Sequence, residues 1–244
     1  MRKVAYWFSL FFIFVVPWEN VVMFSGNETL SKFAGLLVAG FWLLVIVATK
    51  RVRPPLLFHV ACFVFMAWNV VSLIWSVDVP RTLERAETYI QLGILIYMLW
   101  DIYTERYMVN RAIQAYVLGA FVTAGSTLYS YVTATAYYYN RYAASGFNPN
   151  DAGLILGLGI PMAWHLATLT GKEQTPFLLR IVNFLYLPAA LYAIFLTGSR
   201  GTLAAGSASF IFIFMTLTQL RIRYQLLLFG AASIAVAAVF TVIP

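Results

Sequence analysis

Between Arg180 and Arg221 the chain reads RIVNFLYLPAALYAIFLTGSRGTLAAGSASFIFIFMTLTQLR, and Arg200 is the one charged residue between those two arginines. Two apolar runs flank a short turn, Gly198-Ser199-Arg200-Gly201. Neither run alternates polar with apolar residues as a barrel strand does. Each is close to the roughly 20 residues a helix needs to cross a bilayer. In hydrocarbon a single segment satisfies its own backbone groups only as a helix. The stretch therefore reads as two spanning helices joined by a tight turn that carries one guanidinium.

The same pattern recurs along all 244 residues, which are 62% hydrophobic and 10% charged. Soluble domains carry about 25% charged residues. The expected fold is an all-α, polytopic membrane protein forming a single transmembrane domain over residues 1–244. Nine spans are expected, roughly 4–24, 33–49, 56–76, 86–103, 112–133, 152–170, 181–197, 201–219 and 225–243. Val79–Ile90 is charged but periodic, and reads as a short helix lying on the outer surface and feeding the fourth span. With the N-terminus in the cytoplasm, eleven Lys and Arg residues fall in inside loops. Five fall outside: Lys32, Arg81, Arg85, Arg141 and Arg200. That asymmetry follows the positive-inside bias. The net charge of +7 thus marks cytoplasmic loops rather than a nucleic-acid partner. Cys62 is alone and lies in an apolar run, where it reads as a core residue. No Gly-rich nucleotide loop or Cys/His metal cluster is present, so neither a metal nor another cofactor is expected. His59 and His165 lie towards the cytoplasmic halves of their spans and read as structural.

Candidate chemistry gathers at the opposite face. Gly198 and Gly201 let the backbone turn sharply beside Arg200, and Ser199 can cap the helix that follows. The N–H groups and dipole of that helix start favour an anion, and a guanidinium can bind phosphate through two parallel hydrogen bonds. The alternative is an arginine snorkelling from a helix end, with the small residues after it serving helix packing. Before the sixth span, AYYYNRYAASGFNPNDAG (Ala136–Gly153) supplies Arg141 and a turn, Asn148-Pro149-Asn150-Asp151. Either Asn150 or Asp151 can cap the sixth span, and Asp151 can also act as a base. Two helix starts and two arginines at one face suit a phosphate-bearing ligand. Tyr137, Tyr138, Tyr139 and Tyr142 can stack on sugars or belong to an interfacial aromatic belt. Gly153 and Gly157 have the spacing of a close helix–helix contact.

FNPNDAGLILGLGIPMAW (Phe147–Trp164) followed by LTGSRGTLAA (Leu196–Ala205), with SLIWSVDVPRTLERA (Ser72–Ala86) upstream, resembles the O-antigen ligase and polymerase family. The resemblance covers most of the chain and implies a C-type membrane glycosyltransferase in the bacterial cytoplasmic membrane, with its site facing the periplasm. Such enzymes move a glycan from undecaprenyl diphosphate to an acceptor glycan, lipid or protein without metal or nucleotide sugar. It also implies that Arg200 is catalytic and engages the diphosphate, with Arg141, Asn148, Asn150, Asp151, Ser199 and Gly201 contributing to substrate binding. Family members carry a large outer loop after the ninth span, with a further arginine and a histidine. This chain ends at Pro244, where that loop would begin, so it is expected to be the N-terminal portion of a longer architecture, with donor-site elements but without the complete catalytic machinery.

Two other classes fit the composition: a transporter or flippase-like protein that binds an anionic lipid or sugar, and a non-catalytic membrane subunit. The scarcity of mid-span charges weighs against ion-coupled transport. The topology predicts that cysteines introduced at positions 146 and 199 are labelled from outside by a membrane-impermeant reagent, and one at 172 is not. Labelling at 172 alone overturns it.

Overall fold

The structure, a computed structural model, describes residues 2–22, 29–135, 140–171 and 174–217, with 222, 225, 226 and 230. Eight α-helices follow one another: α1 (Arg2–Val15), α2 (Leu30–Thr49), α3 (Leu57–Val71), α4 (Val79–Ile102), α5 (Arg106–Val132), α6 (Pro149–Thr168), α7 (Phe177–Thr197) and α8 (Arg200–Leu217). No strand occurs among the described residues. Three stretches are long and apolar enough to cross a membrane: Leu30–Thr49, Leu57–Trp75 and Phe177–Thr197. The expected ninth span, Tyr137–Tyr139 and Lys172 lie largely or wholly outside the described residues.

Two expectations change. The first span is shorter than 4–24, because α1 gives way after Val15 to a 3-10 turn, Val16–Trp18, built around Pro17. Proline lacks the N–H that a continuing α-helix requires. Nor is Val79–Ile90 a separate surface helix. It is the first half of α4, one helix of 24 residues. Asp78 caps that helix by accepting from Arg81 N, and Pro80 sits in its first turn. In this half Ala86 is buried, while Leu83 and Ile90 are exposed.

The chain forms two compact units, one from the residues up to Ser9 with Ala34–Met108, the other from Leu10–Phe33 with the residues from Val109 onward. In the first, α3 and α4 pack antiparallel. His59 meets Tyr97 and Trp100, Phe65 meets Tyr89, and Met66 fills the place a side chain at Gly93 would take. Asp101, 2% exposed, accepts from Trp42 Nε1 (3.0 Å) and from the backbone N–H of Arg53 (2.8 Å). This carboxylate pins the 50–56 connection between α2 and α3 to the end of α4.

In the second unit α5, α6 and α7 enclose the main core, centred on Val117, Leu156, Trp164 and Tyr186. Lipid is as apolar as leucine, so burial alone gives helices little reason to associate in a membrane. Close packing and interhelical hydrogen bonds must supply it. Small residues do the first: Ala120, Ala124, Ala163, Ala190 and Ala193 are all buried. Gln114 and Asn183 do the second, each amide donating to the other at 2.9 Å. Tyr186 Oη donates to Leu156 O (2.8 Å) and Trp164 Nε1 to Thr216 Oγ1 (2.6 Å), tying α7 and α8 to α6.

Gly119 of α5 lies against the backbone of α1, where an added Cβ would sit 2.1 Å from Phe14 O. Neither backbone can swing aside, so Gly119→Ala is expected to destabilise the protein by about 1–3 kcal/mol. Gly125, on the same helix, faces open space, and Gly125→Ala should be neutral or stabilising by up to about 1 kcal/mol. Thermal unfolding in detergent measures both. Equal loss in the two variants would contradict this packing.

Candidate functional site

The turn between α7 and α8 is built by satisfying carbonyls. The last four carbonyls of a helix have no partner within it. At the end of α7 each finds one: Thr197 Oγ1 donates to Ile194 O and Gly198 N to Phe195 O, while Tyr142 N donates to Leu196 O and Arg141 Nε to Thr197 O at 2.7 Å. Gly198 closes the helix in the left-handed conformation, φ +58, which costs glycine nothing sterically. Its bare Cα lets the Arg141 side chain lie alongside, with Cγ and Nε 3.4 Å from where a Cβ would be. Arg141 also donates from Nη2 to Asn150 Oδ1 at 2.9 Å. One guanidinium therefore joins the end of α7 to the start of α6.

The starts of α6 and α8 lie side by side. An added Cβ at Gly153 would lie 2.6 Å from Thr202 Oγ1 and 3.2 Å from Ser199 Cβ, and one at Gly157 would lie 3.1 Å from Thr202 Cγ2. The two glycines are the close helix contact that their spacing predicts. Thus Arg141, Asn148, Asn150, Asp151, Ser199, Arg200 and Gly201, separate in sequence, meet at one end of the second unit.

Their roles differ. The cap of α6 is Asn148, not Asn150 or Asp151: its Oδ1 accepts from Asn150 N (2.8 Å) and Asp151 N (3.1 Å). Pro149 decides this, because proline favours the first helical position, where its missing N–H is not needed. Ala152 N donates to Asn148 O, and the Asp151 carboxylate accepts from Asn148 Nδ2. So every early N–H of α6 has an acceptor, and a carboxylate already offsets its dipole. This helix start is closed to an added anion, contrary to the expectation of two open ones. Asp151 is part of the cap.

The start of α8 is different. Ser199 is the expected cap. Its Oγ accepts from Thr202 N at 3.4 Å and pairs with Thr202 Oγ1 at 2.9 Å, and Ser199 O accepts from Leu203 N. At 3% exposure Ser199 is hidden from an outside reagent, so position 199 is not the labelling site the sequence implies. The N–H groups of Arg200 and Gly201 have no acceptor among the described residues, and both residues are exposed. The Arg200 guanidinium has no hydrogen bond or ion pair among the described residues. Arg200 and Gly201 are therefore the donors this turn leaves open.

Tyr142 packs edge-on against Tyr131, centroids 5.2 Å apart, and Tyr131 meets Tyr192 in the same way. Its ring is part of an aromatic cluster. Sequence reasoning missed what lies beneath the 140–148 loop. Val21 packs on Ala143, Ala144, Phe147 and Ala152, and Asn20 O sits where a side chain at Gly146 would be. A contact spanning more than a hundred residues leaves no local signal, although Gly146 at φ +77 is consistent with a tight place. His165 lies elsewhere, 3.4 Å from Asn110 Oδ1, beside an open pocket shared with Ile113, Pro161 and Met162. Among the described residues no group of three or more His, Cys, Asp or Glu is placed to hold a metal ion. Comparison with protein-family models, curated proteins and solved structures finds no significant match.

The two arginines are expected to separate cleanly in stability. Arg141→Ala removes charge-assisted bonds from Thr197 O and Asn150 and should cost about 1.5–3 kcal/mol. Arg200→Ala removes an exposed side chain with no partner among the described residues and should stay within about 0.5 kcal/mol of the wild type. Thermal unfolding of both variants tests this, and equal losses would contradict it.

Proposed function

We propose that this chain supplies about nine spans and the donor site of a polytopic membrane protein that transfers a glycan from undecaprenyl diphosphate to an acceptor glycan, lipid or protein at the periplasmic face of a bacterial cytoplasmic membrane. One observation supports the reading above all. At the start of α8 the exposed Arg200 guanidinium and the N–H groups of Arg200 and Gly201 have no partner among the described residues. Arg141 and Gly198 meanwhile hold the turn in place. Unengaged donors on a fixed helix start are what a diphosphate requires.

The acceptor hydroxyl oxygen attacks the anomeric carbon, the bond from that carbon to the diphosphate oxygen breaks, and the hydroxyl proton passes to solvent water. Negative charge grows on the departing diphosphate. Donors already aimed at that position stabilise the transition state more than the ground state. Arg200 supplies a planar fork for two diphosphate oxygens, and the capped start of α8 supplies amide donors beside it. Arg141, Asn148, Asn150 and Asp151 hold the turn and the neighbouring helix, so their contribution to binding is positional. Ser199 fixes the first turn of α8.

Arg200→Lys keeps the charge and loses the fork. At equal protein level in the native host it is expected to lower glycan transfer, read as surface polysaccharide or glycoconjugate, by about tenfold or more. Near-normal product would contradict a diphosphate role. Loss of uptake or efflux of an anionic solute, with glycan transfer intact, would favour the transporter reading.

A further inference from the structure

The connection at residues 50–56 joins two stretches of membrane-spanning length and composition, Leu30–Thr49 and Leu57–Trp75, so it lies at a membrane surface whatever reaction the protein performs. It is held unusually firmly. Arg53 N donates to Asp101 Oδ1 (2.8 Å), Tyr97 Oη to Arg53 O (2.8 Å) and Trp100 Nε1 to Pro54 O (3.2 Å). The Arg53 guanidinium lies 3.4 Å over the Trp100 ring and donates to Trp100 O and Tyr103 O. Arg53 is thus engaged internally, as a cation over an aromatic face and at a helix C-terminus.

Its neighbours are not. Lys50 and Arg51 are exposed and make no ion pair or hydrogen bond from their side chains among the described residues. Lys50 also takes the left-handed conformation directly after α2, φ +50, where glycine is the usual resident. A strained position occupied by an exposed cation points towards function rather than stability. Arg2, bonded to the same Asp101 at 3.5 Å, and Lys3 beside it are exposed as well. The only described carboxylate bonded to this cluster, Asp101, is buried within it.

We propose that Lys50 and Arg51 form a basic collar, carried on this fixed connection, that binds the headgroup phosphate of an anionic phospholipid in the leaflet on that side. The 50–56 connection, fixed by Asp101, sets the spacing of Lys50 and Arg51, and each cation contributes roughly fivefold to the preference for an anionic over a zwitterionic headgroup. The collar is independent of the Arg200 turn.

The full chain, purified in a mild detergent, is titrated with phosphatidylglycerol and with phosphatidylcholine, and bound lipid is counted by native mass spectrometry. The wild type is expected to prefer phosphatidylglycerol. The Lys50→Gln, Arg51→Gln double variant should lose more than tenfold of that preference while binding phosphatidylcholine unchanged, and Lys50→Arg with Arg51→Lys should keep it. Lys50→Gly relieves the left-handed backbone while removing the charge, so it should raise the unfolding temperature and lower the preference about fivefold. An unchanged preference in the double variant overturns the proposal. So does displacement of the lipid by inorganic phosphate at equal concentration, which would mark a site for a soluble anion.

Discussion

The Arg141 side chain, bonded to Thr197 O and to Asn150 Oδ1, is the contact on which the candidate site depends. It satisfies the last carbonyl of α7, ties that helix end to the first turn of α6, and lies over the bare Cα of Gly198. With it in place α7 can end abruptly and α8 can start beside α6. Two arginines share this end of the unit and divide the work. The guanidinium of Arg141 faces protein acceptors and fixes geometry, whereas that of Arg200, a few residues along the turn, meets no protein partner among the described residues. A positioned cation is useful to an anionic ligand only if something else fixes its position.

The rest of the molecule obeys a related constraint. An apolar chain in an apolar solvent gains little from burying leucine, so its contacts are close ones between small residues or polar ones between matched groups. The Gln114–Asn183 amide pair, the Tyr186 hydroxyl on Leu156 O and the glycines of α6 against Thr202 are of this kind. In the other unit Asp101 has the organising role that Arg141 has near the turn. A buried carboxylate is costly unless its oxygens are well bonded. Here Trp42, the Arg53 amide and Arg2 bond it, and the connection that follows α2 is fixed as a consequence.

What the sequence revealed was local. Helices, the Gly198–Gly201 turn, the Ser199 cap and the Gly153/Gly157 contact all follow from residues within one or two turns of each other. Asn150 and Asp151 are good caps in their own right and draw the reading two or three residues past Asn148, although Pro149 at the first helical position marks Asn148 as the cap. The interruption of α1 carried the same signal at Pro17. The continuous α4 was hidden by its charged first half, which reads as an interfacial segment until its packing on α3 is seen. Long-range facts left no trace: that Arg141 reaches Thr197, that Asn20 approaches Gly146, and that Asp101 gathers Arg2, Trp42 and Arg53.

The most direct test of the account is binding of a diphosphate to the Arg200 turn, separate from any turnover. Farnesyl diphosphate, a short prenyl diphosphate, can be titrated against the detergent-solubilised protein while its phosphorus resonances are followed. Saturable shifts are expected for the wild type, lost in Arg200→Ala and weakened in Arg200→Lys, with farnesyl alcohol failing to compete. Saturable binding of equal strength in wild type and Arg200→Ala would contradict a diphosphate role for Arg200.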